Sequence, residues 1–390
     1  MTISERLPHI TVQPDFPIDI NAVSKGQPSR SFWLSTYNNG GDRGDAIHGS
    51  ITVRPDPSGT NESLRVLLDG GREFCGISLV DSSTLIMDNP DGSRTTLLPA
   101  AEQWKLPLKR VNSMNLSPQG DLLVIGGDNA RLVIVDTQDP SIVHRDLKGH
   151  LSDVNACRFF PSGQIILSAG SDFLIKIWGL DGQCAVTLQA HVASITDTAI
   201  VGRGKNIISS ARDGSIIMWE CGTSKQTWRP SGTSSLGHVN AIQVDFNTTL
   251  GSSNTEPADG EHETEDKVLF AATEKSGITA FDIRAKKAVL TACVQAHGEL
   301  TSMDVRDFYV VTGSGLGVCD LWDIRQTSLP IASWWQSPAE IHSTCFLPSS
   351  SSSSQTSAVP DVVYGSQDGC FARTSISSDG RATEVFVCYK

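Results

Sequence analysis

A histidine, a serine and an aspartate follow one another at His150, Ser168 and Asp172, and the same order recurs at His191, Ser209 and Asp213. These residue types could do nucleophilic chemistry. The imidazole would take the serine proton and the carboxylate would hold the imidazole in place. That chemistry also needs an open cleft and a pair of oxyanion donors, and nothing in either stretch supplies them. Each set instead ends in a tryptophan ten residues after its serine, Trp178 and Trp219. The four residues can then form a closed chain, with indole N–H to serine, serine to histidine and histidine to aspartate. In such a chain every buried polar group has a partner. The tetrads are therefore read as structural, and no residue is assigned a catalytic role.

The elements that must position these residues repeat with them. All four positions recur at an offset of 41 residues, and LSAGSDFLIKIW (167–178) matches ISSARDGSIIMW (208–219). A period in the low forties that opens near Gly-His and closes on tryptophan marks one four-stranded propeller blade. In both clear copies the tryptophan lies 24 residues beyond the first apolar residue of the inner strand (Val154, Ile195). This template extends upstream to VNSMNLSPQG (111–120). Downstream it reaches VNAIQVDF (239–246) with Phe281, LTSMDV (300–305) with Trp322, and IHSTCFLP (341–348) with Asp368. LRVLL, CGISLV, TLIMD and RTTLL, between 64 and 98, supply a further weak repeat. The expected fold class is all-β, a seven-bladed WD-repeat β-propeller over 64–390, with residues 1–63 as a small N-terminal β extension. His238 is out of register and is not counted as a tetrad histidine. Lys275 and Leu316 occupy the aspartate slots of the fifth and sixth repeats, whose blades are expected to rely on packing alone.

Two insertions interrupt the pattern and are expected to be disordered, about 248–267 and 349–360. The first carries six acids against one base over 251–267, and the second begins with six serines. The whole chain has 43 acids and 31 bases, a formal charge of −12. That balance argues against nucleic acid, which needs a basic stripe. Nine cysteines without a Cys-x-x-Cys pair read as buried free thiols in a reducing compartment. The opening MTISERLPHI has no apolar core for a signal peptide, and no apolar run approaches a membrane span. No membrane contact is expected.

Other motifs resolve to structure. Gly313-Ser-Gly315-Leu-Gly317 looks like a phosphate loop, but a strand follows it rather than a helix, so it is expected to be a hairpin turn. His262 lacks further ligands for a metal, and neither metal nor cofactor is expected. Trp322-Asp-Ile-Arg325 and Phe281-Asp-Ile-Arg284 match the W-D-x-R ending of WD-repeat receptors in cullin-type ubiquitin ligases. Receptor function, or a general scaffold, is thus the alternative reading.

At RFFPSG (158–163), DTAIVGRGKNIISSARDG (197–214) and the FWLS…IHG stretch (32–49) the chain resembles the proteasomal ATPase-associated factor family. The resemblance implies a non-catalytic chaperone, cytoplasmic and nuclear, that assists assembly of the 26S proteasome regulatory particle base. It would bind the C-terminal domain of one proteasomal ATPase subunit of the 19S base as a monomer. Residues just before each inner strand and just before each aspartate slot rim one face of a propeller. Here they include Asp153, Ser171, Ser194, Arg212, Glu299, Glu340 and Gln367. Asp153, Glu299 and Glu340 suit a basic partner, and Trp334 and Trp335 are expected to be aromatic anchors in a connection.

Overall fold

The computed structural model describes residues 5–6, 9–13, 15–37, 46–55, 64–69, 77–80, 84–88, 94–98, 106–231, 233, 237–246, 250–251, 255–275, 277–292, 298–335, 337–347, 360–376 and 382–389. The fold is all-β, a WD-type propeller fold built mainly of four-stranded antiparallel sheets, with one five-stranded and one seven-stranded sheet, and it divides into two compact bodies. One comprises residues 103–308 and the other residues 1–102 with 309–390.

The 103–308 body holds the second to fifth repeats, each a meander in chain order. The third repeat runs Val154–Phe159, Ile165–Gly170, Leu174–Gly179 and Cys184–Gln189. The fourth runs Ile195–Val201, Asn206–Ala211, Ile216–Glu220 and Lys225–Trp228. The second begins at Val111–Leu116 and the fifth at Val239–Phe246. Their middle strands are largely buried because both faces are covered, as in Asn206–Ala211, where every residue is buried, Asn206, Ser209 and Ser210 included. The fourth strands are more exposed, and all four residues of Val143–Asp146 are exposed. Position within the sheet thus dictates burial: two covered faces in the middle, solvent at the outside.

A hydrogen-bond stitch joins successive inner strands in this body. The second residue of each strand donates its side chain to the carbonyl of the first residue of the next. Asn112 reaches Val154 at 3.2 Å, Asn155 reaches Ile195 at 2.8 Å, Thr196 reaches Val239, and Asn240 reaches Leu300 at 2.8 Å. A β-bulge at the start of the third, fourth and fifth inner strands frees these groups from the ladder. Further along, side chains accept the backbone N–H groups of the next strand. Asn115 takes that of Phe159 at 2.9 Å and Asp197 that of Ile242 at 3.0 Å.

The other body departs from expectation in two places. Residues 1–63 do not end a separate extension. The strands His9–Val12, Arg30–Tyr37 and Ala46–Pro55 are completed by Leu64–Asp69, which pairs with Ala46–Pro55 and had been assigned to the first repeat. A helix, Phe16–Ser24, lies between the first two strands, with a proline in its first turn. Phe16, Ile20 and Val23 form its buried stripe, and the Phe16 ring lies 5.5 Å from that of Phe32. The remaining strands of the expected first repeat, Ile77–Leu79, Leu85–Asp88 and Arg94–Leu98, form no blade of their own. Arg94–Leu98 pairs in parallel with Ala382–Tyr389, extending the sheet of Ile341–Phe346, Val362–Ser366 and Cys370–Ile376. Strands this short bury too little to stand alone and instead cover an open edge.

Candidate functional site

The third-repeat tetrad forms as its spacing requires. The Trp178 indole donates to Ser168 Oγ at 2.8 Å, that oxygen lies 2.7 Å from His150 Nε2, and His150 Nδ1 lies 2.8 Å from Asp172. Trp178 and Ser168 are buried, so the hydroxyl faces an indole rather than a substrate cleft. Burial opposes the Asp172 carboxylate, but hydrogen bonds from His150 and the Leu151 N–H outweigh it and hold its pKa below the ordinary value.

The fourth-repeat tetrad has a fifth member. Trp219 reaches Ser209 at 2.9 Å and Ser209 reaches His191 at 2.7 Å. Ser215 Oγ then takes His191 Nδ1 at 2.8 Å, leaving Asp213 at 3.9 Å. Burial, with the charge of Arg229 acting the same way, depresses the His191 pKa to about 4 against the pull of Asp213. The sixth repeat does not rely on packing alone, because the Trp322 indole donates to Thr312 Oγ1 at 3.4 Å. Threonine stands there ten residues before the tryptophan, the serine offset of the full tetrads, so the spacing could have found it.

The turns above the tetrads are three-residue hairpin loops whose last residue is left-handed. The N–H of that residue returns to the carbonyl three residues back: Gly214 to Ala211, Gly317 to Ser314 and Gly369 to Ser366. Their φ angles are 74°, 80° and 82°. The Gly313–Gly317 motif is therefore a turn between Tyr309–Ser314 and Val318–Asp323. In the third repeat the same slot holds Phe173, at φ 67°, bonded to Gly170.

One backbone contact defines the rim. The residue before the aspartate slot donates its N–H to the carbonyl of the residue before the inner strand. Ser171 donates to Asp153, Arg212 to Ser194 and Gln367 to Glu340. Glu274 donates in the same way to His238, so those two are the rim of the fifth repeat. The register that gives Lys275 the aspartate slot already points to them, although they were not among the expected rim residues. The corresponding positions in the second repeat are Arg110 and Asp128.

The predicted rim residues differ in what they offer. Ser171 and Ser194 lie 3.0 Å apart and both accept from Asn155, so they hold two sheets together. Asp153 is half-buried and accepts the Asn129 N–H at 3.0 Å. Arg212 and Glu299, in the 103–308 body, are exposed, as is Gln367 in the other body. Glu340 is half-buried, 3.8 Å from His342. Trp334 and Trp335 are not in a connection. They lie on the strand Ala332–Trp335, where Trp334 is 1% exposed, 6.5 Å from Tyr364, and Trp335 is half-buried. Trp334 is a core residue, not an anchor, because the alternation of its strand turns it inward.

The exposed charge of the 103–308 rim is divided. Lys109, Arg110, Lys148 and Arg212 are exposed around the second to fourth repeats. Asp172 and Asp213 there are only 3% and 12% exposed and are held by hydrogen bonds. Glu274 and Glu299 lie at the fifth and sixth repeats, with Lys275 beside Glu274.

The acidic insertion is a strap rather than a disordered loop where it is described. Asn206, fully buried, donates to the Gly260 carbonyl at 2.9 Å and accepts the His262 N–H at 2.7 Å. Glu261 pairs with Lys286 at 2.8 Å and Glu263 with Arg203. His262 lies 3.5 Å from Glu220, and Arg284 holds Thr264 and the Thr255 carbonyl. Two of its six acids, Glu261 and Glu263, are thus held in ion pairs, while Glu256, Asp259 and Glu265 are exposed. Residues 247–249 and 252–254, and the serine run with its flank up to residue 359, lie outside the described residues.

Among the described residues no cluster of three or more His, Cys, Asp or Glu could hold a metal, and no helix is long and apolar enough to cross a membrane. Six cysteines are described. Cys157, Cys319 and Cys370 are buried as expected, whereas Cys184 and Cys345 are exposed. Burial pushes the Cys157 thiol up to about 11, which keeps it unreactive.

Comparison with known proteins agrees with this geometry. The chain is 30% identical over 193 residues to the 26S proteasome regulatory subunit RPN14 of Saccharomyces cerevisiae, covering 47% of this chain and 46% of that protein. It is 25% identical over 231 residues to a guanine nucleotide-binding protein subunit beta of Zea mays, covering 55% and 56%. It is 26% identical over 156 residues to cilia- and flagella-associated protein 52 of Chlamydomonas reinhardtii, covering 40% and 24%. The chain thus spans about half or less of the length of these relatives. Residues 141–179 and 182–220 match the WD domain, G-beta repeat family, so the two sheets that carry complete tetrads are WD repeats.

Proposed function

We propose that this protein is a non-catalytic docking module that assists assembly of the proteasome regulatory particle base by binding the C-terminal domain of an ATPase subunit. The observation that carries the reading is the similarity to the yeast proteasome regulatory subunit over nearly half of both chains. A fixed rim supports it, because backbone bonds hold the rim residues and little ordering entropy is lost on docking. Glu274 and Glu299 are its acidic part and suit a basic partner surface. The W-D-x-R arginines are engaged locally and do not favour the receptor reading. Arg284 holds the strap, and Arg325 folds back on Asp323 at 2.8 Å.

Affinity capture of the full-length protein from cell extract tests this. ATPase base subunits without the mature core particle are the expected partners. Glu274→Lys combined with Glu299→Lys should lower their recovery at least tenfold and flatten its salt dependence. Recovery of a cullin adaptor in their place would refute the reading.

A further inference from the structure

The same rim also exposes apolar side chains. Leu151 is 84% exposed, Val192 76% and Phe173 40%. The tetrads place two of them at their turns, since the Leu151 N–H donates to Asp172, the neighbour of Phe173, and the Val192 N–H donates to Asp213 of the next repeat. The contact between Ser171 and Ser194 joins the two turns. Phe173 is the most informative of the three. Its slot is left-handed, glycine fills it at Gly214, Gly317 and Gly369, and the small Ala130 fills it in the second repeat at φ 61°. An L-residue with a large side chain is disfavoured there, and exposing its ring to water is a second cost. Strain kept at an exposed aromatic points to use in binding.

We infer that Leu151, Phe173 and Val192 form a docking patch for a partner segment that carries apolar side chains among aspartates or glutamates. The charge around the patch decides the occupant. Lys148 precedes Leu151 by three residues and Arg212 adjoins Asp213 beside Val192, both exposed, with Lys109 and Arg110 on the neighbouring repeat. Of the nearby carboxylates, those of Asp172 and Asp213 are largely buried and accept hydrogen bonds, and Asp153 and Asp128 are half-buried, with Asp153 accepting the Asn129 N–H. A basic segment would meet like charge here, whereas an acidic one meets unlike charge. The inference rests on the docking-module reading but not on a proteasomal partner, since the acidic residues assigned to that partner lie at the fifth and sixth repeats.

The test places the photo-crosslinker p-benzoylphenylalanine at position 173 of the full chain in cells and identifies the crosslinked peptide by mass spectrometry. The expected product is a segment of another protein with net negative charge and at least one large apolar residue. Its yield should fall at least tenfold with Lys148→Glu and Arg212→Glu together. A basic segment, a peptide of this same chain, or a yield no higher than from the crosslinker at Ile142 would overturn the inference, as would indifference to the charge reversal. Phe173→Gly separates binding from folding. With the crosslinker moved to position 151, that change should abolish capture while the melting temperature stays level or rises. A fall in melting temperature would make Phe173 a structural residue and defeat the proposal. If ATPase capture fails while the acidic segment is captured, the proteasomal reading falls and this one stands.

Discussion

Trp178 illustrates what a single side chain does here. Its ring is buried against the third-repeat core and its indole closes the hydrogen-bond chain. Trp178→Ala is expected to cost about 3–5 kcal/mol, from the cavity and the unsatisfied Ser168 together. Urea unfolding measures this, and an unchanged midpoint would contradict it. His191 gives the molecule a pH response. Its native pKa is about 4 against 6.5 when unfolded, so below neutrality the unfolded chain binds a proton that the native state refuses. Stability therefore falls as pH drops from about 6.5 towards 4, by about 2 kcal/mol between pH 7.5 and 5.0. The depressed Asp172 and Asp213 carboxylates add a further loss only at still lower pH, as they take up protons. His191→Gln should remove the slope between pH 7.5 and 5.0 even though it lowers the overall stability, and urea midpoints at the two pH values read it. The tetrads were legible because offset and residue type agree. The insertion of Ser215 between His191 and Asp213 was not, because its counterpart in the third repeat is Leu174 and no template exists for it.

At the scale of elements, the strap and the N-terminal sheet show where composition misleads. Six acids in seventeen residues read as a disordered loop. What matters is Asn206, a buried amide on a different repeat, whose two polar ends match two strap backbone groups. No local signal predicts such a long-range partner. Asn206→Ala should leave both strap groups unsatisfied, costing about 1–3 kcal/mol, and should expose residues 255–266 to limited proteolysis. Cleavage there at the wild-type rate would show that the strap is held elsewhere. The helix Phe16–Ser24, by contrast, was readable. Phe16, Ile20 and Val23 follow helical spacing after a proline-containing first turn, and the run was passed over because a β extension was expected. The Leu64–Asp69 strand has the composition of any blade strand, and only its pairing with Ala46–Pro55 assigns it.

At the scale of the whole molecule, the net charge of −12 is a poor guide to how the protein meets a partner. Part of the acid is neutralised inside the strap, and the rim of the 103–308 body carries both signs in separate places. Capture of two different partners by one rim, each sensitive to a different pair of charge reversals, is the expected consequence. The stitch between inner strands has another, which concerns time. Each donor lies N-terminal to its acceptor, by 42, 40, 43 and 60 residues from Asn112 to Leu300. On the ribosome, Asn112 emerges before the carbonyl of Val154 exists. At about 5–20 residues per second, each newly made sheet waits roughly 2–12 s with its side-chain donor unanswered. The edge it leaves open always faces the sheet still to be synthesised, so translation itself sets the order in which the repeats close on one another.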